Sequence, residues 1–254
     1  MLTQPILCVR NLTMRFGSFR AVDNVSMGIP RAAISLLIGP NGSGKTTLVN
    51  CISGLYTPEE GTVKYMGADI TGEPPHKIVK KGLVRTFQIA QPFLRLTVLE
   101  NLLVSHGDNP GESVFWSFVQ ARWAKQETTA LEKAHKVLEL LELEDLYEAA
   151  AGTLSGGQLK LLEIGRALMT DAKTIVMDEP AGSVSPVLAH TIFSHIQRLR
   201  DQLGLTFLLV EHRLDVAAEY VDRVCAMARG RVICEGAPKE VFNNPEVIES
   251  YLGG

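Results

Sequence analysis

Alternation of apolar and polar positions over the first 35 residues predicts short β-strands joined by turns. The clearest segments are LCVRNLTMRF and AVDNVSMGI, which a Gly-Ser turn at 17–18 separates. Strands that follow one another through a tight turn pair in antiparallel fashion. The N-terminal part of the chain is therefore predicted to form an antiparallel β layer.

Three later segments are continuously apolar: AISLLIG (33–39), TIVMDE (174–179) and TFLLVE (206–211). Such strands are typical of parallel sheets with helices on both faces. The stretch at 186–203, between the last two strands, has helical spacing, with proline at its start and Gly204 beyond its end. These elements predict an α/β fold with a mainly parallel sheet.

Residues 89–168 show almost no strand pattern and are rich in helix formers, most clearly at 120–146. A stretch with glycine and proline at 105–113 is expected to separate two helices. We therefore predict two domains. Residues 1–88 and 169–254 form an α/β core with the β layer, and residues 89–168 form an inserted helical subdomain.

Composition excludes several classes of protein. The 254 residues carry 25 Lys+Arg and 28 Asp+Glu, a net charge of −3 without long one-sign blocks, so nucleic acid is not expected as the main partner. The longest apolar stretches, 32–39 and 203–210, are shorter than the roughly 20 residues of a membrane span. The start of the chain lacks a signal-peptide pattern, which favours the cytoplasm. The four cysteines form no CxxC pair and are expected to be reduced and mostly packed.

The segment GPNGSGKT, directly after the first apolar strand, fits the phosphate-loop pattern G-x-x-x-x-G-K-[ST]. Backbone N–H groups of such a loop surround the phosphates of a nucleotide, the lysine reaches the β- and γ-oxygens, and the threonine hydroxyl binds Mg²⁺. The residues predicted to bind ATP here are Gly39, Asn41, Gly42, Ser43, Gly44, Lys45, Thr46 and Thr47. The segment predicts a phosphate-loop NTPase core.

Polar residues at the ends of three other strands are candidates for catalysis. Asp178 is placed to hold Mg²⁺ and Glu179 to polarise the attacking water, although acidic pairs at strand ends are often only solvated turn residues. The Gln88 amide, after VRTF, can ligate Mg²⁺ or water. His212 can touch the γ-phosphate, or it can simply be a packed histidine. His190 and His195 fall on a helix and are expected on its surface.

The segment LSGGQ (154–158) stands before a run of helical spacing. Glycines let backbone N–H groups approach a ligand, and a helix start adds unpaired donors, so an anion site is one interpretation. A plain turn is the other, and the segment alone does not decide between them.

The motifs occur in the order phosphate loop, Gln88, LSGGQ, MDE (177–179), His212, and that order resembles the ATP-binding subunits of ABC transporters over essentially the whole chain. The resemblance implies in-line hydrolysis of ATP in a head-to-tail dimer with a second ATP-binding subunit, identical or paralogous. Each subunit's signature loop then closes over its partner's γ-phosphate, and an aromatic ring stacks on adenine. In this chain the corresponding residues are Ser155, Gly156, Gly157, Gln158 and Phe16.

The resemblance also implies partners and a location. Two membrane permease subunits are expected to dock at IAQPFLRLTVLENLL (89–103), with an extracytoplasmic solute-binding protein opposite, which places this chain at the cytoplasmic face of the membrane. RTFQ, EHRLD (211–215) and the C-terminal segment are most similar to branched-chain amino acid importers. ATPases of urea and amide importers and of a lipopolysaccharide exporter are closely related, so these substrates stay open.

One position departs from the family. Ser185 stands where an Asp or Asn usually crosses the dimer interface, which predicts a weaker cross-interface bond, and serine is equally suited to cap the helix that begins at Pro186. A DNA-repair ATPase of this family would need a long coiled coil between Gln88 and Leu154, and a translation ATPase would usually carry two cassettes. A phosphate-loop kinase or GTPase would leave LSGGQ unexplained.

Overall fold

The computed structural model of the chain describes residues 5–86, 92–107, 120–182, 184–211 and 214–252, with the backbone alone at 120–126 and 252. The chain divides into two compact units. The first comprises Met1–Gln88 and Lys173–Gly254, and the second comprises Ile89–Ala172. No helix of the described residues is long and apolar enough to cross a membrane.

The first unit contains an antiparallel sheet in the order β2-β1-β4-β5. Its strands are β1 (Leu7–Phe16), β2 (Phe19–Ile29), β4 (Glu60–Tyr65) and β5 (Ala68–Asp69). β1 and β2 form the hairpin expected from the alternating pattern, with Phe16 paired to Phe19 across the turn. The predicted N-terminal β layer is therefore confirmed.

The second sheet of this unit has six strands in the order β10-β9-β3-β8-β7-β6. All neighbouring pairs are parallel except β9 and β10. The strands are β3 (Ile34–Ile38), β6 (Leu83–Arg85), β7 (Thr174–Asp178), β8 (Thr206–Val210), β9 (Arg223–Ala228) and β10 (Arg231–Gly236). Every residue of β3, β7 and β8 is buried, which explains their continuous apolar pattern.

The helices of the first unit are α1 (Lys45–Ile52), α2 (Pro75–Lys80), α6 (Pro186–Leu203), α7 (Leu214–Ala217), α8 (Pro238–Phe242) and α9 (Pro245–Leu252). α6 begins at the predicted proline and ends at Leu203, directly before Gly204, whose φ of 64° is the left-handed conformation typical of the residue after a helix. A mainly parallel sheet with helices confirms the predicted α/β phosphate-loop fold.

The second unit is helical in the residues that the structure describes. It contains α3 (Val98–Val104), α4 (Gln120–Leu140) and α5 (Gly156–Met169), with short 3₁₀ turns at Glu144–Leu146 and Ala151–Thr153. The three helices meet at Gly165 of α5, where a Cβ would lie 2.9 Å from an atom of Leu102 in α3 and 3.2 Å from an atom of Val137 in α4. Glycine at this position lets the helices approach closely.

Burial in the first unit raises the pKa of the Cys51 thiol to about 11 and that of Cys225 to about 12. Both thiols stay neutral when folded but ionise above about pH 8.5 when unfolded, so their contribution to stability is present below that pH and is lost as pH rises towards 11. We expect Cys51→Ala to reduce the fall in the free energy of unfolding between pH 8.5 and 11 by about 2 kcal/mol. Urea unfolding across this range measures it, and Cys8→Ala, at a half-buried thiol, is the control.

Candidate functional site

The phosphate loop leaves the carboxyl end of β3 in a conformation that requires glycine. Gly39, Gly42 and Gly44 have φ values of 150°, 76° and 101°. A Cβ at Gly39 would lie 2.1 Å from the carbonyl oxygen of Met227, and one at Gly44 would lie 2.3 Å from that of Ala21. The loop therefore packs directly on the backbone of β9 and β2, and its shape is set by these contacts.

Gly39→Ala is expected to lower the free energy of unfolding by about 3 kcal/mol or more, because the added methyl group cannot avoid the Met227 carbonyl. Gly42→Ala is the matched control: Gly42 also has a positive φ, but no heavy atom lies within 4 Å of its added Cβ. Its cost should be about 1 kcal/mol. Chemical denaturation of both variants measures the difference, and equal costs would contradict the packing argument.

Lys45 begins α1 and its ammonium group is folded into the loop. Nζ donates hydrogen bonds to the carbonyl oxygens of Gly39 (2.8 Å) and Pro40 (3.0 Å) and to Ser43 Oγ (3.4 Å). Burial lowers the pKa of Lys45, while the charges of Asp178 and Glu179 raise it. In this structure loop oxygens accept the hydrogen bonds of the Lys45 ammonium, and phosphate oxygens are acceptors of the same kind. The loop therefore holds a cation where it can bind the phosphates of a nucleotide.

The phosphate loop also contacts the C-terminal helix, α9, and the turn between β9 and β10. The Gly39 N–H donates to the hydroxyl of Tyr251 in α9 over 2.7 Å. The Gly230 N–H, in the turn between β9 and β10, donates to the Ser43 carbonyl over 3.0 Å. The contact of α9 with this loop was not predicted, because the partners are separated by 212 positions along the chain.

Asp178 ends β7 beside α1 and β6. Arg85 Nη2 lies 3.2 Å from its Oδ2, and Arg85 Nη1 donates to the side-chain oxygen of Asn50. Both members of the ion pair are nearly buried. Neither Arg85 nor Asn50 was predicted as a site residue, although Arg85 belongs to the RTFQ segment. The contact fixes the orientation of the Asp178 carboxylate at the end of its strand.

Asp178 and Thr46 provide oxygen donors of the kind that Mg²⁺ prefers, a carboxylate and a hydroxyl. Thr46 is exposed in the first turn of α1. Among the described residues, no group of three or more His, Cys, Asp or Glu side chains could hold a metal ion. Proteins commonly hold Mg²⁺ through one or two such oxygen donors, with nucleotide phosphates and water as the other ligands.

Glu179 follows Asp178 in a left-handed conformation, with φ of 49°. Its N–H donates to the carbonyl of Val210 at the end of β8 (2.8 Å), and its own carbonyl accepts from the Gly182 N–H (2.9 Å). β3 and β7 run parallel on either side of β8, so their carboxyl ends lie at the same edge of the sheet. The charges of Asp178 and Glu179 at the end of β7 accordingly act on Lys45, which follows β3.

Two other predicted nucleotide contacts are placed as follows. Phe16, at the end of β1, is 47% exposed, and its ring stands edge-on to Tyr56 with centroids 5.5 Å apart. An exposed aromatic face of this kind is suited to stacking on a base. Thr47 follows Thr46 in α1 and is partly buried.

The LSGGQ segment forms the start of α5 in the second unit. Ser155 is the N-cap: its Oγ accepts from the Gln158 N–H (3.4 Å), while Gln158 Oε1 accepts from the Ser155 N–H (2.9 Å). Ser155 and Gly156 are exposed, and no heavy atom lies within 4 Å of a Cβ added at Gly156. Gly157 is buried. Gly156 therefore leaves open the N-terminus of a 14-residue helix, where anions are stabilised.

The remaining predicted residues have mixed outcomes. Gln88 and His212 lie outside the described residues, as do the first three positions of the 89–103 segment. Ser185 is the N-cap of α6, and its Oγ accepts from the Leu188 N–H (3.3 Å), as the capping interpretation requires. The expected surface position of His195 is wrong. It is only 3% exposed, because it lies on the face of α6 that packs inward with Ile192 and Ile196.

Comparison with known proteins places these features in context. Residues 22–182 match the model of a family described as ABC transporter, and residues 231–254 match one described as branched-chain amino acid ATP-binding cassette transporter. The chain is 49% identical over 248 residues to a probable branched-chain amino acid transport ATP-binding protein (LivG) of Archaeoglobus fulgidus, covering 98% of this chain and 95% of that protein. The protein of that name from Methanocaldococcus jannaschii is 48% identical, covering 99% of this chain and 98% of the relative.

A solved structure with the same fold is a nucleotide-free ATP-binding cassette from an ABC transporter. It is 47% identical to this chain and superimposes with a TM-score of 0.85, covering 98% of this chain and 99% of that one.

Proposed function

This chain belongs to the ABC transporter family of ATP-binding proteins, and from that premise we propose that it hydrolyses ATP to drive the import of branched-chain amino acids through membrane permease subunits. The observation that carries the proposal is that the phosphate loop with Lys45 follows β3 and that Asp178 and Glu179 stand at the end of β7, at the same edge of one parallel sheet. Phosphate-loop enzymes bind nucleotide at this edge of the sheet.

The chemistry follows from these three residues. Lys45 and the backbone N–H groups from Asn41 to Thr46 bind the phosphates of ATP. Thr46 and Asp178 would hold Mg²⁺, which would supply positive charge to offset the negative charge that develops on the phosphates during transfer. Glu179 orients a water molecule in line with the γ-phosphate and accepts its proton. Gln88 and His212 are assigned to the same site on the family pattern, and Phe16 is assigned to adenine.

The second unit carries the proposed contacts with other subunits. Ser155 and Gly156 present the open end of α5 to the γ-phosphate on a second ATP-binding subunit. ATP then joins the two subunits, and hydrolysis releases them. Phe93 and Leu94 are 50% and 56% exposed within the segment predicted to dock a permease, and adjacent apolar side chains that are exposed on a surface favour a protein partner. The chain would then work at the cytoplasmic face of the membrane, with a solute-binding protein on the opposite side.

The solute is proposed from the relatives and from the C-terminal segment. Two relatives nearly half identical to this chain are named for branched-chain amino acid transport, and so is the family that matches residues 231–254. Urea, amides and lipopolysaccharide remain the alternatives that the sequence left open.

The test is transport by the assembled system. The chain is purified from its native membranes with the subunits that accompany it and is reconstituted in vesicles. We expect ATP-dependent movement of labelled leucine, isoleucine and valine, lost in a complex that carries Glu179→Gln. Movement of urea or an amide in place of these amino acids would contradict the proposed solute, and leucine transport unaffected by Glu179→Gln would contradict the proposed role of this chain.

A further inference from the structure

Glu179 begins a tight turn whose conformation depends on contacts with residues outside the turn. The turn from Glu179 to Gly182 is closed by one backbone hydrogen bond of 2.9 Å, and Glu179 has a positive φ, which is unfavourable for a residue with a side chain. Glu179 Oε2 lies 3.3 Å from the position that a Cβ on Gly182 would take. The carboxylate therefore rests against its own turn, and a shift of the turn would move it.

The support comes from the end of the neighbouring strand. β8 pairs with β7 in parallel register, with Val210 opposite Asp178. The Val210 carbonyl accepts the Glu179 N–H, and the next residue, Glu211, accepts the Ala181 N–H on its Oε1 over 2.6 Å. Two consecutive residues of the β8 end thus bind both the first and the third residue of the turn.

Burial limits the role that Glu211 can have. Its side chain is 1% exposed and Ala181 is fully buried, so this carboxylate has no access to the water that attacks ATP. Glu211 is therefore unsuited to act as a second catalytic base. A buried carboxylate is costly unless it is well hydrogen-bonded, and a bond from a backbone N–H to a charged oxygen is about twice as strong as a neutral one.

We propose that Glu211 is a positioning residue that fixes the Glu179–Gly182 turn through the Ala181 N–H and thereby sets where the Glu179 carboxylate meets the attacking water. The proposal rests on the proposed hydrolytic role of Glu179. It predicts that loss of the Glu211 oxygen lowers kcat. ATP binding should be unchanged, because the phosphate loop follows β3 and is not connected to the hydrogen bond between Glu211 and Ala181.

The test compares three replacements in the full chain. Glu211→Ala removes the acceptor, Glu211→Asp withdraws it by one methylene while keeping the charge, and Glu211→Gln keeps an oxygen at the same distance. We expect kcat to fall about 30- to 100-fold in the alanine and aspartate variants, as misplacement by about 1 Å does in other enzymes, with KM for ATP changed less than about 3-fold. The glutamine variant should keep kcat within about 5-fold of wild type.

A control separates positioning from general stability. Phe207→Leu weakens the opposite end of β8, where Phe207 pairs with Ile175, and should lower Tm without changing kcat well below Tm. Wild-type kcat in folded Glu211→Asp, or glutamine and aspartate variants with equally low kcat, would overturn the proposal. Failure of the proposed function can be distinguished from failure of this proposal, because in the former case the Glu179→Gln variant would still hydrolyse ATP.

Discussion

Replacing Glu179 by glutamine is expected to lower the rate of ATP hydrolysis about 1,000-fold while ATP still binds with an affinity close to that of wild type. The amide keeps the size of the side chain and its place in the turn but cannot accept the proton of the attacking water. The phosphate contacts belong to the loop after β3, which this change does not touch. Phosphate release and nucleotide titration of the same protein preparation measure the two effects.

The control for this change is Glu219→Gln, which makes the same replacement at an exposed glutamate next to His190. Its hydrolysis rate should stay within about 2-fold of wild type. If Glu179→Gln hydrolysed ATP as fast as the control, the carboxylate would not be the base, and Glu179 would be a turn residue only.

Lys45→Met is expected to weaken ATP binding about 100-fold. The ammonium group is the only charge that the phosphate loop itself contributes, and hydrogen bonds to charged groups contribute about 1.5–3 kcal/mol each. Methionine keeps most of the buried stem, so the loop should still fold. Isothermal titration with ATP and Mg²⁺ measures the change.

Lys64→Met provides the matched control, since Lys64 is an exposed lysine of β4 and loses the same charge. Its affinity for ATP should be that of wild type. Equal affinities for Lys45→Met and wild type would mean that the hydrogen bonds seen within the loop are the whole role of Lys45 and that the phosphates bind elsewhere.

The parts of this fold that could be predicted are those whose structure is determined by residues close together in the sequence. β3, β7 and β8 are buried on both faces, so their sequences are mostly apolar and do not alternate with polar residues. The phosphate loop could be located because the backbone contact at Gly39 excludes any side chain. α6 could be delimited because Ser185, Pro186 and Gly204 favour a helix start and a helix end.

The start of α5 carries a local sequence signal for the residue at which the helix begins. Ser155 and Gln158 have the spacing of a capping box, in which each side chain satisfies the backbone N–H of the other. The helix therefore includes both glycines instead of following them. This pattern predicts, from the sequence alone, that both glycines lie in the first helical turn.

The contacts that escaped prediction join distant positions. Glu211 meets Ala181 across 30 positions, Arg85 meets Asp178 across 93, and Tyr251 meets Gly39 across 212. No local pattern marks such partners, since they depend on the order of strands in the sheet. The predicted surface position of His195 is wrong for a related reason. The packing of α6 places this residue on the inward face of the helix, and packing overrides the polarity of a single residue.

The central claim is that one site binds ATP through Lys45 and hydrolyses it through Glu179. The most direct measurement incubates the wild-type chain, Glu179→Gln and Lys45→Met with adenine-labelled ATP and Mg²⁺, collects the protein on filters and resolves the bound nucleotide by chromatography over time. We predict ATP that becomes ADP on the wild type, ATP that stays intact on Glu179→Gln, and little nucleotide on Lys45→Met. Conversion of bound ATP to ADP on Glu179→Gln at the wild-type rate would contradict the account.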